Sequence, residues 1–316
     1  MKLWKFIHSK LSQDKTVYLM TVIQHKGSSP GRQGFKMAVA NDNEIYGSIG
    51  GGIMEFNLVE LCKELLQGTK PQSFIKHQIH KGTIVDGSGM ICSGEQTVIF
   101  YPLDKTDFLS IQGILTAYAD NKSGTLSISP EKFTFSVYEE PASKYNYTHT
   151  NESEWWYNEF LNKKDIVYIV GGGHVGLAAT KLLKQLGFSV VVFDNRTHLN
   201  TFEENSFADK KQIIDYTNVS DYIPESNSVY VAIMTNKYTD DKLALSKLAR
   251  KNYHFIGVLG SKAKLKLMFE VMQKEGFTKD ELDKIHAPIG LHIYSQTPEE
   301  IAVSIAAQIV TIKNKK

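Results

Sequence analysis

Gly171, Gly173 and Gly176 stand in the spacing G-x-G-x-x-G between an apolar run and an amphipathic one. A dinucleotide phosphate loop needs this arrangement. The first glycine permits a tight turn, the second lets main chain approach a pyrophosphate, and the third lets helix pack closely on strand. The loop Gly171-Gly172-Gly173-His174-Val175-Gly176 opens a helix, whose unpaired N–H groups and dipole favour phosphate oxygens. Asp194 lies eighteen residues after Gly176, at the end of the next apolar run, placed to accept hydrogen bonds from a ribose. His174 stands where most such loops need only a small residue. It contacts a phosphate or a metal, or is an exposed imidazole at a helix start. The competing view of the whole motif is a glycine-rich turn that binds nothing.

Other residues carry chemistry at comparable spacing. Gly50, Gly51 and Gly52 precede a helix over 53–67, and three consecutive glycines weaken a connection unless main chain must touch a ligand. Glu55 in that first turn suits the helix dipole. Cys92 lies in a glycine-rich loop over 82–95 and is open to sulfur or metal chemistry, with an inert thiol as the alternative. Cys62 falls among leucines on a helix and reads as core filler. Gly260-Ser261-Lys262, at a strand end, reads equally as a small anion site or a capped helix. Thr235-Asn236 ends another strand and could face a ligand. Neither C-x-x-C nor H-E-x-x-H occurs, so no dedicated zinc site is expected.

Composition narrows the class. A chain of 316 residues with 42% hydrophobic and 22% charged residues suits two globular domains. A net charge of +2 calls for neither nucleic acid nor an anionic membrane. Two cysteines exclude a disulfide framework and suit a reducing cytosol. The first fifteen residues lack a signal-peptide pattern, and no apolar run is long enough to span a membrane. A soluble cytoplasmic protein is expected.

The elements that must position these residues follow from periodicity. An α+β domain is expected over 1–150, with an opening helix near Trp4 to Leu11 and a core strand over 16–24. A hairpin turns at Asn41-Asp42-Asn43, strands lie over 74–79 and 96–101, and a helix covers 108–119. A second hairpin pairs 125–128 with 133–138. The polar stretch 141–153 marks the domain boundary, and 151–162 reads as linker and short helix around Trp155, Trp156, Phe160 and Leu161. Residues 163–316 alternate strand and helix, giving a Rossmann-like, doubly wound parallel sheet. Capping boxes start helices at Thr278 and Thr297. The helix over 298–312 buries Ile301, Ile305, Ile309 and Ile312 in core or in a homodimer contact.

Taken together, these motifs resemble the XdhC/CoxI family, accessory proteins of molybdenum hydroxylases such as xanthine dehydrogenase. The matching stretches are Gly27-Ser28-Ser29-Pro30 with Gly34 and Met37, and Gly47 to Gly52 with Glu55. Gly89-Met90-Ile91-Cys92, the 171–176 loop, 257–262, 286–291 and Thr297 to Ala302 continue in the family's order. Two departures stand out: the family usually reads Cys-Gly-Gly where this chain has Cys92-Ser93-Gly94, and has a glycine near Tyr294.

The resemblance implies a cofactor-handling chaperone rather than a catalyst. Such a protein binds and protects molybdenum cofactor, promotes its sulfuration with a cysteine desulfurase, and inserts it into the apo-hydroxylase. Molybdopterin carries a phosphate, which the glycine loops could receive. A shared pocket at the carboxyl ends of the parallel strands, in the cleft between the domains, is expected. Two alternatives remain. The glycine loop and Asp194 suit NAD, and Arg196 leaves NADP open, for an NAD(P)-dependent oxidoreductase, although no proton donor with a partnered base is evident beside the loop. The chain could also be a nucleotide-sensing module that regulates a partner.

Overall fold

Strand β1 (Val17–Gly27) begins with seven consecutive buried residues because both of its faces are covered. Val17, Leu19 and Ile23 join a cluster with Ile7 and Leu11 of helix α1 (Lys2–Leu11) and Ile111 and Ile114 of α3 (Phe108–Ala119). The alternate residues Tyr18, Met20 and Val22 pack on Leu58, Val59 and Cys62 of α2 (Gly52–Leu66). Side-chain alternation along a strand makes that division automatic. The structure is a computed structural model describing residues 1–68, 71–80, 94–137 and 143–315. Two units make up the chain, Met1–Lys163 and Lys164–Lys316.

In the first unit β1 is the centre of an antiparallel sheet. The order is β3 (Ile45–Gly47), β2 (Lys36–Ala40), β1, β5 (Gly94–Leu103), β4 (Phe74–His80). A second antiparallel sheet follows the order β7 (Phe133–Ser136), β6 (Gly124–Ile128), β9 (Glu154–Leu161), β8 (Tyr145–Asn151). It adds Leu126, Ile128, Phe133, Trp155 and Tyr157 to the cluster beneath α1.

The stretch 151–162 is therefore no linker and carries no helix: it contributes the central strand β9. Trp156, Phe160 and Leu161 mimic helical spacing, but the operative period is two. Trp155, Tyr157 and Glu159 point inward, while Trp156 is 44% exposed. The polar run before it is an edge strand whose outer face is wet, and its turn is closed by the Ser153 N–H donating to Asn151 Oδ1 (2.9 Å). Inside, Lys36 of β2 pairs with Glu159 of β9, which also accepts from the Tyr157 hydroxyl at 3.1 Å. One ion pair thus joins the two sheets.

The second unit holds five parallel strands in the order β12 (Lys210–Ile213), β11 (Ser189–Asp194), β10 (Ile166–Val170), β13 (Ser226–Ile233), β14 (Tyr253–Val258). Numbered within the unit the order is 3-2-1-4-5, the Rossmann arrangement, with its reversal between β10 and β13. His286 extends it: Val258 N–H donates to the His286 carbonyl (3.0 Å) and His286 N–H to the Ile256 carbonyl (2.9 Å), starting a sixth position beside β14. Helices α4 (His174–Gln185) and α10 (Pro298–Asn314) cover one face, with Ile305 and Ile309 fully buried. Helices α7 (Tyr238–Leu248) and α8 (Lys262–Lys274) cover the other. The one-turn helices α5 (Asn200–Glu203), α6 (Val219–Tyr222) and α9 (Lys279–Leu282) fill the connections. Both predicted capping boxes form, at Thr278 and Thr297.

Candidate functional site

The second unit presents its glycine loop between β10 and α4. Gly171 has φ of +119°, and a Cβ there would fall 2.4 Å from the Met234 carbonyl oxygen, so only glycine fits beside the end of β13. A Cβ on Gly176 would fall 2.2 Å from the Gly171 carbonyl, which is the close helix–strand contact the third glycine permits. Gly173 is different in kind: no atom lies within 4 Å of its Cβ position. It is the N-cap of α4, and no side chain caps that helix. The first-turn N–H groups of α4 therefore have no side-chain acceptor, and Gly173 stands open beside them. His174 is exposed and lies at one end of a groove of about 540 Å³ that also includes Lys181, Phe207, Glu299 and Val303.

Asp194 stands at the end of β11, where a ribose-reading acid stands, but its carboxylate is already engaged. Its side chain is 0% exposed. One oxygen accepts from the Gly172 N–H (2.7 Å) and from Arg196 Nη2 (2.8 Å), the other from Arg196 N–H (3.0 Å) and Nε (2.8 Å). Burial would raise this carboxyl, but the hydrogen bonds from Arg196 and Gly172 outweigh it and hold it below the usual carboxylate range. Asp194 is a latch between loop and strand. The neighbouring segment completes the closure: Thr201 Oγ1 donates to the Gly172 carbonyl (2.7 Å), and Phe202 lies against Gly172.

Along the same edge, Thr235 donates its N–H (2.9 Å) and hydroxyl (2.6 Å) to Asp241, a fully buried acid that also receives Lys264 Nζ at 2.7 Å. The hydroxyl expected to face a ligand is thus turned inward, while Asn236 stays exposed. Asp241 and Lys264 escaped the sequence reading because each sits on a helix flank where a charge normally meets solvent. At Gly260-Ser261-Lys262 the helix cap forms: Ser261 Oγ accepts the Lys264 N–H at 3.3 Å, and Ser261 and Lys262 are exposed. A Tyr-x-x-x-Lys pair does occur at Tyr238 and Lys242, but Tyr238 packs against the core and Lys242 pairs with Glu275.

The 286–291 motif is structural. His286 stacks on Phe255 (4.7 Å between ring centres), with burial lowering its pKa, and Ile289 fills the space left by Gly257. Tyr294, near which the family pattern has a glycine, has φ of +57° and is 81% exposed. The backbone keeps the left-handed conformation that glycine adopts freely, and a tyrosine bears it.

In the first unit the family motifs converge. A Cβ on Gly94 would meet Ser29 N at 2.4 Å, one on Gly31 the Ile49 carbonyl at 2.3 Å, and one on Gly50 the Gly31 N at 2.7 Å. The Gly50–Gly52 loop already holds a carboxylate. Glu55 accepts from Ile49 N–H (2.7 Å), Gly51 N–H (3.0 Å) and the Ser48 hydroxyl (2.8 Å). Beside the ends of β4 and β5, the strands flanking 81–93, lies a polar pocket of about 430 Å³ lined by Gln24, Lys26, Gln33, His77 and Glu95 among others. Its His77 and Glu95 carried no sequence signal beyond ordinary strand polarity. Cys92 falls outside the described residues. Cys62 is buried, and burial pushes its thiol up to about 12, which suits core filler. Among the described residues no three His, Cys, Asp or Glu side chains come together as a metal site.

Residues 167–309 match the XdhC Rossmann domain, and residues 11–77 match the XdhC and CoxI family. The chain belongs to the XdhC and CoxI family. An uncharacterized Escherichia coli K12 protein, YqeB, is 25% identical over 97% of this chain and 45% of its own length. A probable subunit of xanthine dehydrogenase from Bacillus subtilis 168 is 26% identical over 53% of this chain and 48% of its own. The chain thus spans about half the length of the curated relatives it matches. In fold it is similar to the crystal structure of a xanthine dehydrogenase from Bacillus halodurans, with a TM-score of 0.78, 22% identity and coverage of 100% of this chain and 97% of that one. Among the described residues no helix is long and apolar enough to cross a membrane.

Proposed function

We propose that this chain is an accessory protein of a molybdenum hydroxylase such as xanthine dehydrogenase, acting in the cytoplasm without turnover of its own. It binds and protects molybdenum cofactor, helps sulfurate it with a cysteine desulfurase, and inserts it into the apo-hydroxylase. Family membership supports the setting, as does the name of the Bacillus subtilis relative.

The observation that carries the reading is the open end of α4. Gly173, His174, Val175 and Gly176 offer main-chain donors at an uncapped helix start, beside a glycine whose missing side chain leaves clear space. A phosphate is the group such donors receive best. Molybdopterin brings a phosphate and no ribose diol, and a diol is what the latched Asp194 cannot serve. When bound, the cofactor supplies the metal centre that the hydroxylase uses, and this chain's residues hold its phosphate. Cys92 is assigned the sulfur-side role on its sequence context alone.

The test is cofactor content. Full-length protein purified from a host that makes molybdopterin should retain molybdopterin and molybdenum and should raise the activity of a cofactor-deficient hydroxylase extract. Gly173→Asp, which has room for its side chain but sets a carboxylate against the phosphate, should lose retention while melting like wild type. Wild-type protein with neither retention nor rescue would refute the proposal.

A further inference from the structure

A Rossmann loop of this kind implies a nicotinamide dinucleotide, and the residues around it do not fit one. A dinucleotide's adenosine ribose is read by the acid at the end of the second strand, which accepts from the ribose hydroxyls. In this chain that acid is Asp194, the last residue of β11. An ionised carboxylate has two oxygens with about four acceptor positions. Four donors fill them here: the N–H groups of Gly172 and Arg196, with Nε and Nη2 of Arg196, at 2.7 to 3.0 Å. Both Arg196 side-chain bonds are charge-assisted and parallel, the strongest form such contacts take. The carboxylate is also fully buried, whereas the Arg196 side chain keeps 33% of its surface exposed. A diol would therefore find no free acceptor on the acid for its O–H groups, and the guanidinium beside it accepts none.

We infer that Arg196 is a specificity-determining residue: by occupying Asp194 it closes the ribose subsite, so that the loop rejects NAD(H). The same pairing engages the Nε and Nη2 fork, which leaves a 2′-phosphate of NADP(H) only the Nη1 side of the guanidinium. This exclusion is independent of whether the chain carries molybdenum cofactor. It concerns what Asp194 accepts, not what the helix start binds.

Titration of the full chain with NADH, NADPH and ADP-ribose, followed by calorimetry, tests the inference. Wild type should show no saturable binding of any of the three at millimolar concentration. Arg196→Ala removes Nε and Nη2 but keeps the backbone N–H, so it frees two acceptor positions, and its affinity for NADH and ADP-ribose should rise by at least about tenfold, the factor carried by one hydrogen bond to a charged group. Arg196→Ala combined with Asp194→Ala should lose that gain. If Arg196→Ala does not fold, as judged by its melting profile, Arg196→Lys replaces it, because lysine keeps the charge and gives up the forked grip. Saturable binding of a dinucleotide by wild type overturns the inference without any variant. So does a folded Arg196 variant that gains nothing. Molybdopterin retention measured on the same samples is a separate readout, so failure here and failure of the accessory-protein proposal remain distinguishable.

Discussion

Glu159→Ala is the substitution from which the first unit has most to lose. Glu159 and Lys36 keep only 7% and 8% of their side-chain surface in water, and together they join the two antiparallel sheets. Removing one partner of a buried pair strands the other charge and costs about 3–5 kcal/mol. For a unit of 163 residues each kcal/mol moves the midpoint by about 2–4 °C, so the expected fall is roughly 10 °C. The assay is selective by composition. The three tryptophans, Trp4, Trp155 and Trp156, all lie in the first unit, so intrinsic fluorescence reports its unfolding without a contribution from the second. A companion variant, Lys36→Met with Glu159→Leu and Tyr157→Phe, removes both charges and the phenol that donates to Glu159. Apolar replacements of similar volume are often neutral, so this triple variant should return to within about 2 kcal/mol of wild type. A fall below about 3 °C for Glu159→Ala, or a triple variant as unstable as the single one, would refute the view that desolvation of an unpaired charge sets the cost.

Gly176→Ala should destabilise the second unit by roughly 1–3 kcal/mol, since its Cβ would sit 2.2 Å from a backbone oxygen; far-UV circular dichroism melts would register it. Ser261→Ala should cost about 1 kcal/mol through the lost cap of α8 and leave phosphate-ligand retention unchanged, a pairing that melting and cofactor content check together. Asp107 is buried, and burial raises its carboxyl to about 6. Because this folded-state pKa lies above the unfolded one, its stabilising contribution is present below about pH 4 and lost as pH rises through about 6. Asp107→Asn, which keeps an acceptor for the Asp104 N–H, should therefore raise the first unit's midpoint at pH 8 and leave it unchanged at pH 4, as read by tryptophan fluorescence.

Periodicity made most of this fold legible, and its failures have physical causes. The parallel sheet announced itself because strands buried on both faces read as unbroken apolar runs, as Ile166–Val170 does. The strand β9 hid because Trp155 and Trp156 are both apolar and only one is buried, so composition blurred the alternation that geometry enforces. Its partner β8 hid because an edge strand with a wet outer face looks like loop. The site was legible at the level of which backbone stretches matter: Gly171, Gly176, Gly31, Gly50 and Gly94 each stand where a side chain would strike main chain. What spacing did not disclose was the use of the neighbouring acids, since a carboxylate beside a glycine loop serves a ligand or the loop itself with the same sequence.

That ambiguity has a common resolution in both units. A glycine loop turns several N–H groups toward one point, and buried donors must find acceptors whether or not a ligand is present. In the first unit Glu55 supplies the acceptor for Ile49 and Gly51, and in the second Asp194 supplies it for Gly172. Each loop is therefore preorganised by a carboxylate of its own chain. An anionic ligand approaching either one is repelled by the resident charge unless that charge is neutralised. Asp194 is neutralised by Arg196, which pairs with it. Among the described contacts of Glu55 the partners are two N–H groups and a hydroxyl, none of them cationic. On the accessory-protein proposal, this electrostatic asymmetry favours the α4 end over the Gly50–Gly52 loop as the seat for a phosphate.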